Sequence, residues 1–350
     1  MTKIFTDTSA NLPIGFIKKY GLNIIPFAYS VDGAEVEENG EFDGKAYYSA
    51  MRAGAQVKTS MISTGVILNA FKTELEKGFD IIYIAMSGGI SGTVQAAEAA
   101  ADELRQEFPE RNIAVIDTFA ASLGEGLLAI KAAEMNNGGI SFNDIASYIS
   151  RIRHTMCQYF TVDDLKYLKR GGRISGTAAA VGTLLNIKPI LKGDETGHII
   201  SCGRARGKRA ALLTLAEHYE KLSADKRSQI GIAHADAPED AETLLSLLKK
   251  HGFKPALFRA DARRTRRLPA AAPRRAAEGR ILRGSGFRRG VRAGGRLCGR
   301  RAQPAHPSRR GDRDEYGGSG QEFARSAEQG YFRIARGNEG GGRRFAGRLA

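Results

Sequence analysis

The chain has 350 residues, a formal net charge of +15, 3 Cys and no Trp. Taken whole, that charge suggests a nucleic-acid binder. It is unevenly placed, however: up to Lys254 there are 18 Lys and 11 Arg against 30 acidic residues, a net of −1, while beyond it 24 Arg, no Lys and 8 acidic residues give +16. Cys157, Cys202 and Cys298 form no metal-binding spacing, no apolar run is long enough to span a bilayer, and Met1–Asp7 leads into a strand rather than a signal peptide. A cytoplasmic protein without metal or cofactor is therefore expected.

From the amino terminus, short apolar strands alternate with amphipathic helices, which predicts an α/β fold with a mainly parallel sheet. Buried strands are expected at Ile4–Thr6, Asn23–Phe27, Ile81–Ala85 and Ile113–Asp117. Ile67, Phe71 and Leu75 make one helix face between them; Val94, Ala97, Ala101, Leu104 and Phe108 make another. Helices Leu127–Met135 and Phe142–Ile152 lead into a second unit with strands Tyr159–Val162, Lys188–Leu191 and Gln229–Ala233. Ala241, Leu244, Leu245 and Leu248 face its last helix, and Lys254–Phe258 begins one more strand.

There the composition turns to Arg, Gly, Ala and Pro without apolar period, so the sheet is expected to be cut before its closing strand is complete. The predicted organisation is an amino-terminal α/β domain over 1–157, a truncated second α/β domain over 158–258 and a disordered basic tail over 259–350. Phe287, Tyr331, Phe332 and Phe345 are too irregular for an Arg-aromatic RNA-binding arm, so any nucleic-acid affinity of the tail should be nonspecific. Arg without Lys reads as out-of-frame translation of GC-rich coding DNA.

Ligands of α/β sheets sit at the carboxyl ends of strands, so the loops there come first. Met86–Thr93 follows the Ile81–Ala85 strand and opens a helix; its glycines and the Ser91 and Thr93 hydroxyls suit an anion, or more simply a capped turn. Lys58–Thr64 is a second hydroxyl-rich loop that places Thr59 beside Ser91 if the two helices start at one sheet edge. With no partnered general base, these loops favour holding a carboxylate or phosphate over cleaving one. An enzyme acting on a phosphorylated or carboxylated metabolite, or an RNA-binding protein using the tail, are the alternatives. Gly203–Arg209 is not a P-loop, having three residues between its glycines and Arg209 where Ser or Thr is required. In Phe160–Ser175, Asp163 can cap a short helix that Gly171 and Gly172 end, while Arg170 and Arg173, with Arg204 and Arg206 in a later loop, could clamp an anionic partner.

Thr6–Pro13, Thr59-Ser60, Ser87–Thr93, Val115–Asp117, Phe160–Ser175, Leu185–Leu191 and Ala233–Asp236, in this order and spacing, resemble the DegV family, bacterial fatty-acid-binding proteins that present a bound fatty acid to a separate kinase. The resemblance implies two α/β domains with a lipid tunnel between them and no catalysis by this chain itself. It implies Thr59 and Ser91 as carboxylate donors with Ser60, Gly92 and Thr93 around them, and long-chain fatty acid and a fatty acid kinase subunit as partners. Arg173 and Arg206 match positions for kinase docking and phosphoryl transfer, roles in which their loss would spare lipid binding. Met61-Ile62 and Gly88 depart from the family's usual Gln-Pro and second Ser. The family's closing strand and His-Thr-Gly-Pro-Gly stretch, whose His contacts the carboxylate, has no counterpart after Phe258, and His306 lacks the motif.

Overall fold

The computed structural model describes residues 1–36, 44–174, 186–223, 226 and 230–253, together with the backbone of 257–261. Ser175, His306 and the basic tail beyond residue 261, with its out-of-frame reading and expected disorder, lie outside the described residues.

Four strands, β1 (Thr2–Asp7), β2 (Asn23–Ile25), β6 (Asp80–Ala85) and β7 (Ile113–Asp117), form a parallel sheet in the order β2-β1-β6-β7. Its faces are sorted by the two-residue period of a strand. Ile4, Ile82, Ile84 and Ile116 pack against α5 (Leu123–Asn137) and α6 (Phe142–Ile152), with α1 (Ile14–Tyr20) beside them. Phe5, Ile81, Tyr83 and Ala85 pack against α3 (Thr64–Leu75) and α4 (Thr93–Glu107). With both faces covered, the strands need continuous apolar runs, which is why Ile81–Ala85 carries no polar break. The predicted helix faces hold: Ile67, Phe71, Leu75, Ala97, Ala101 and Leu104 are buried, and Val94 and Phe108 partly so.

An antiparallel sheet not foreseen in the sequence, β4-β3-β5, is made by β3 (Tyr29–Val31), β4 (Ala34–Glu35) and β5 (Val57–Thr59), with α2 (Gly44–Arg52) between β4 and β5 in the chain. Part of the predicted Lys58–Thr64 loop is thus strand, and Thr59 ends it opposite Tyr29.

The second sheet is antiparallel. β8 (Tyr159–Phe160), β9 (Ile187–Gly193) and β10 (Ile199–Arg206) run in the order β10-β9-β8. Arg204 and Arg206 therefore lie on a strand, not in a loop, and Gly207 at φ +83° turns the chain into α8 (Lys208–Leu222). Asp163 pairs with Lys188, and it is Asp164 whose carboxylate accepts the Lys166 N–H as α7 (Lys166–Arg170) begins; Gly171 and Gly172 end α7 as expected. β11 (Ile230–His234) is followed by α9 (Pro238–Lys250), whose Leu245 and Leu248 are buried as predicted. β12 (Leu257–Asp261) runs parallel to β11 over five paired positions, so the strand expected to begin within Lys254–Phe258 forms, and it continues through 259–261, which were expected to belong to the disordered tail. No helix of the described residues is long and apolar enough to cross a membrane.

α5 is apolar nearly all round because it is covered on more than one side. It packs on β1, while its Leu123 fills the space a side chain at Gly231 of β11 would occupy, with Cβ only 2.8 Å from Leu123 Cδ1. At Gly126 a Cβ would fall 2.8 Å from the Ala10 carbonyl, so glycine alone permits the approach.

The centre of the α3/α4 layer is Phe71, fully buried and edge-on to Phe5 and Tyr83 with centroids 5.3 and 5.7 Å away. Phe71→Ala is expected to cost about 3–5 kcal/mol, read as a lowered urea midpoint at unchanged slope.

Candidate functional site

The loops after β1, β6 and β7 all emerge at the carboxyl edge of the parallel sheet. That after β6 is bound from three sides. Ser87, fully buried, donates to the Gly197 carbonyl (2.9 Å) and accepts the Gly89 N–H (3.1 Å). Asp117, ending β7, accepts the Gly88 N–H at 3.1 Å and the Phe119 N–H at 2.9 Å. Arg173 donates through Nε to the Ile90 carbonyl at 3.1 Å and through Nη1 to the Gly171 carbonyl.

These contacts account for the glycines. A Cβ at Gly88 would meet Asp117 Oδ2 at 2.8 Å, so a side chain here would require the Asp117 carboxylate that holds this loop to shift. A Cβ at Gly89 would sit 2.6–2.7 Å from backbone atoms of Thr196, Gly197 and His198, the turn joining β9 to β10. Gly197 itself has φ +79° and presses on Ser87 Oγ.

The two hydroxyl loops are adjacent, as expected. Ile62 N–H donates to Thr93 Oγ1 at 3.3 Å, and Met61 Sδ lies 2.6 Å from where a Gly92 Cβ would stand. Ser91 Oγ and Thr93 Oγ1 are 2.9 Å apart, and Ser91 Oγ also accepts the Thr93 N–H at 3.3 Å. When Thr93 donates to Ser91, the Ser91 hydrogen is left for a ligand. The capping of α3 falls to Ser63, which accepts the Val66 N–H at 3.4 Å. Thr59 and Ser60 are exposed and have no capping duty, and their side chains make no hydrogen bond among the described residues.

No His, Lys or carboxylate hydrogen-bonds Ser91 among the described residues, so nothing there would activate it as a nucleophile. The arrangement gathers neutral donors where α4 begins, an environment that holds an anion. Arg206, exposed at the end of β10, makes no hydrogen bond or ion pair among the described residues, and no contact joins it to Arg173. Sequence reading missed the β9–β10 turn and Asp117 as supports of this loop; the paired glycines at 88 and 89 were the available signal of close approach.

Fold and loop geometry thus define an α/β protein with a cluster of hydroxyls at the carboxyl edge of its parallel sheet. The family profile described as "Uncharacterised protein, DegV family" matches residues 1–261, and the chain belongs to the DegV family. It is 38% identical over 250 residues to a DegV domain-containing protein of Clostridium perfringens, covering 71% of this chain and 86% of the relative. A structure titled for fatty acid binding of a DegV family protein from Thermus thermophilus superposes with TM-score 0.62 at 30% identity, over 74% of this chain and 92% of that one. A fatty acid binding DegV family protein from Streptococcus agalactiae does so with TM-score 0.65 at 30% identity, over 74% and 91%.

Gly89→Ala is expected to force the 196–198 turn away and cost about 1–3 kcal/mol, as overpacking does, in chemical denaturation. Gly65→Ala, in the first turn of α3 with open space around it, is the control and should gain about 0.4–1 kcal/mol.

Proposed function

We propose that this chain is a non-catalytic fatty acid carrier that holds a long-chain acid by its carboxylate and presents it to a partner kinase for acyl phosphate formation. The observation that carries the reading is the joining of the two hydroxyl segments by the Ile62–Thr93 hydrogen bond, with no base at Ser91. Thr59 and Ser91 would donate to the carboxylate, with Ser60, Gly92 and Thr93 framing them, and the acyl chain would run in a tunnel between the two α/β domains. Fatty acid binding by family members at 30% identity supports the ligand class.

A charge-assisted hydrogen bond contributes roughly 1.5–3 kcal/mol, and a buried methylene about 0.8 kcal/mol. About four methylenes match one head-group bond, so the chain supplies most of the affinity and the hydroxyls orient the reactive end. Arg173 and Arg206 fall to kinase docking and phosphoryl transfer, but Arg173 also holds the Ile90 carbonyl, one residue from Ser91.

Native mass spectrometry of the purified protein tests the carrier reading: a co-purified acyl chain is expected, and a folded sample that neither carries nor takes up fatty acid overturns it. Ser91→Ala and Thr59→Ala should each weaken retention about ten- to hundredfold, the equivalent of one such hydrogen bond, with an unchanged circular dichroism spectrum. Arg206→Ala should keep the lipid and lose phosphorylation by the partner kinase. Arg173→Ala should lose phosphorylation and weaken retention as well, since its guanidinium braces the Ser91 loop.

A further inference from the structure

Two carboxyl groups outside the proposed head-group site lie buried beneath its loop. Asp7 ends β1 and Glu125 sits in the first turn of α5, 1% and 0% exposed. Ser9 Oγ stands 2.5 Å from Asp7 Oδ1 and 2.6 Å from Glu125 Oε2. A hydroxyl has one hydrogen and an ionised carboxylate can only accept, so two such short contacts require a proton on one of the acids.

The surrounding donors decide which. Asp7 accepts from the Ser9 N–H at 2.8 Å, the Tyr83 hydroxyl at 2.9 Å and the Met86 N–H. Glu125 has, besides Ser9, the Thr6 hydroxyl at 2.7 Å and the Asp7 N–H, one donor fewer than Asp7. Asp7 is the better-solvated anion, and Glu125 donates through Ser9 toward it. Burial first, and then the Asp7 charge, hold the Glu125 carboxyl well above its ordinary range; burial also raises Asp7, against its hydrogen bonds. The titratable groups facing the pair are each other, from β1 and α5, and Tyr83 from β6, and neither acid makes an ion pair among the described residues.

Met86, whose N–H Asp7 accepts, is the first residue of the loop that leads through Ser87 to Ser91. We propose that Asp7 and Glu125 are positioning residues that hold a single proton, carried by Glu125 and relayed through Ser9, and that this proton fixes the base of the Ser91 loop. The second half of this proposal rests on the fatty acid reading; the first does not.

The sign of the pH effect follows from the raised value. A folded carboxyl that keeps its proton above its unfolded value binds more protons than the unfolded chain, so wild-type stability falls as pH rises from that unfolded value, 4.5, toward the folded one. Glu125→Gln keeps a neutral side chain of the same shape. Its thermal midpoint should gain on wild type steadily with rising pH, and a midpoint difference independent of pH overturns the assignment.

Infrared spectroscopy of the full chain with 13C-carboxyl glutamate should show a protonated carboxylic acid band at pH 7 that moves with the label and is absent from Glu125→Gln. Absence of the band in wild type, or its movement with labelled aspartate instead, overturns the shared proton without needing any variant to fold. Oleate retention should fall severalfold in wild type as Glu125 ionises and stay level in Glu125→Gln; equal loss in both overturns the link to the loop. A wild type that binds no oleate at any pH refutes the fatty acid reading and this link together, leaving the infrared band to decide the proton.

Discussion

Burial of both faces of the parallel sheet is the constraint from which the rest follows. With helices on either side, any polar group along Ile81–Ala85 has to find a partner within the core, as the Tyr83 hydroxyl does on Asp7. Polarity is displaced to the carboxyl ends of the strands, where Asp7, Ser87 and Asp117 appear in corresponding places. Each then finds donors in neighbouring loop backbone: Asp7 in Ser9 and Met86, Asp117 in Gly88 and Phe119, while Ser87 accepts from Gly89. The conformation of the Ser91 loop is therefore a consequence of how the sheet terminates its strands.

Close approach without side chains gives this edge its rigidity. Gly89 against the 196–198 turn, Gly197 against Ser87, Gly124 against Gln158 and Gly231 against Leu123 are contacts where even a methyl group would meet atoms within 3 Å. At Gly89 the approach is backbone against backbone, which leaves that loop little room to rearrange, as suits a site proposed to orient its ligand.

The strands and helix faces of the first sheet were legible because buried parallel strands and amphipathic helices write their periods directly into the sequence. The second sheet was legible only in part. β10 was taken for a loop because Ser201, Gly203, Arg204 and Arg206 interrupt any alternation, and the strand is held instead by seven pairings to β9 with a bulge between Ser201 and Gly203. β3, β4 and β5 are two or three residues long, too short for periodicity to register. At the site, the meeting of the two hydroxyl-rich segments, seen in the Ile62–Thr93 hydrogen bond, was anticipated from two helix starts, whereas the bracing by Asp117 and Arg173 depends on contacts 29 and 83 residues apart in sequence. Glu125 precedes the helix expected over Leu127–Met135, and its partner, 118 residues away by position, could not be paired with it from one sequence.

The choice of neutral hydroxyls at the proposed head-group site has its own logic. An arginine fork would hold a carboxylate through two parallel hydrogen bonds and an opposite charge, and it would bind any small carboxylate regardless of what was attached. With hydroxyls and amides, the head group contributes orientation and only part of the affinity, so discrimination passes to the buried methylenes, which reject short acids by leaving apolar surface unfilled. The guanidiniums stand back from the hydroxyls: Arg173 is committed to backbone carbonyls of the loop, and Arg206 remains exposed at the end of β10. A carboxylate bound this way keeps an oxygen that is not locked in a bidentate ion pair, and that oxygen is the atom a phosphoryl donor has to reach.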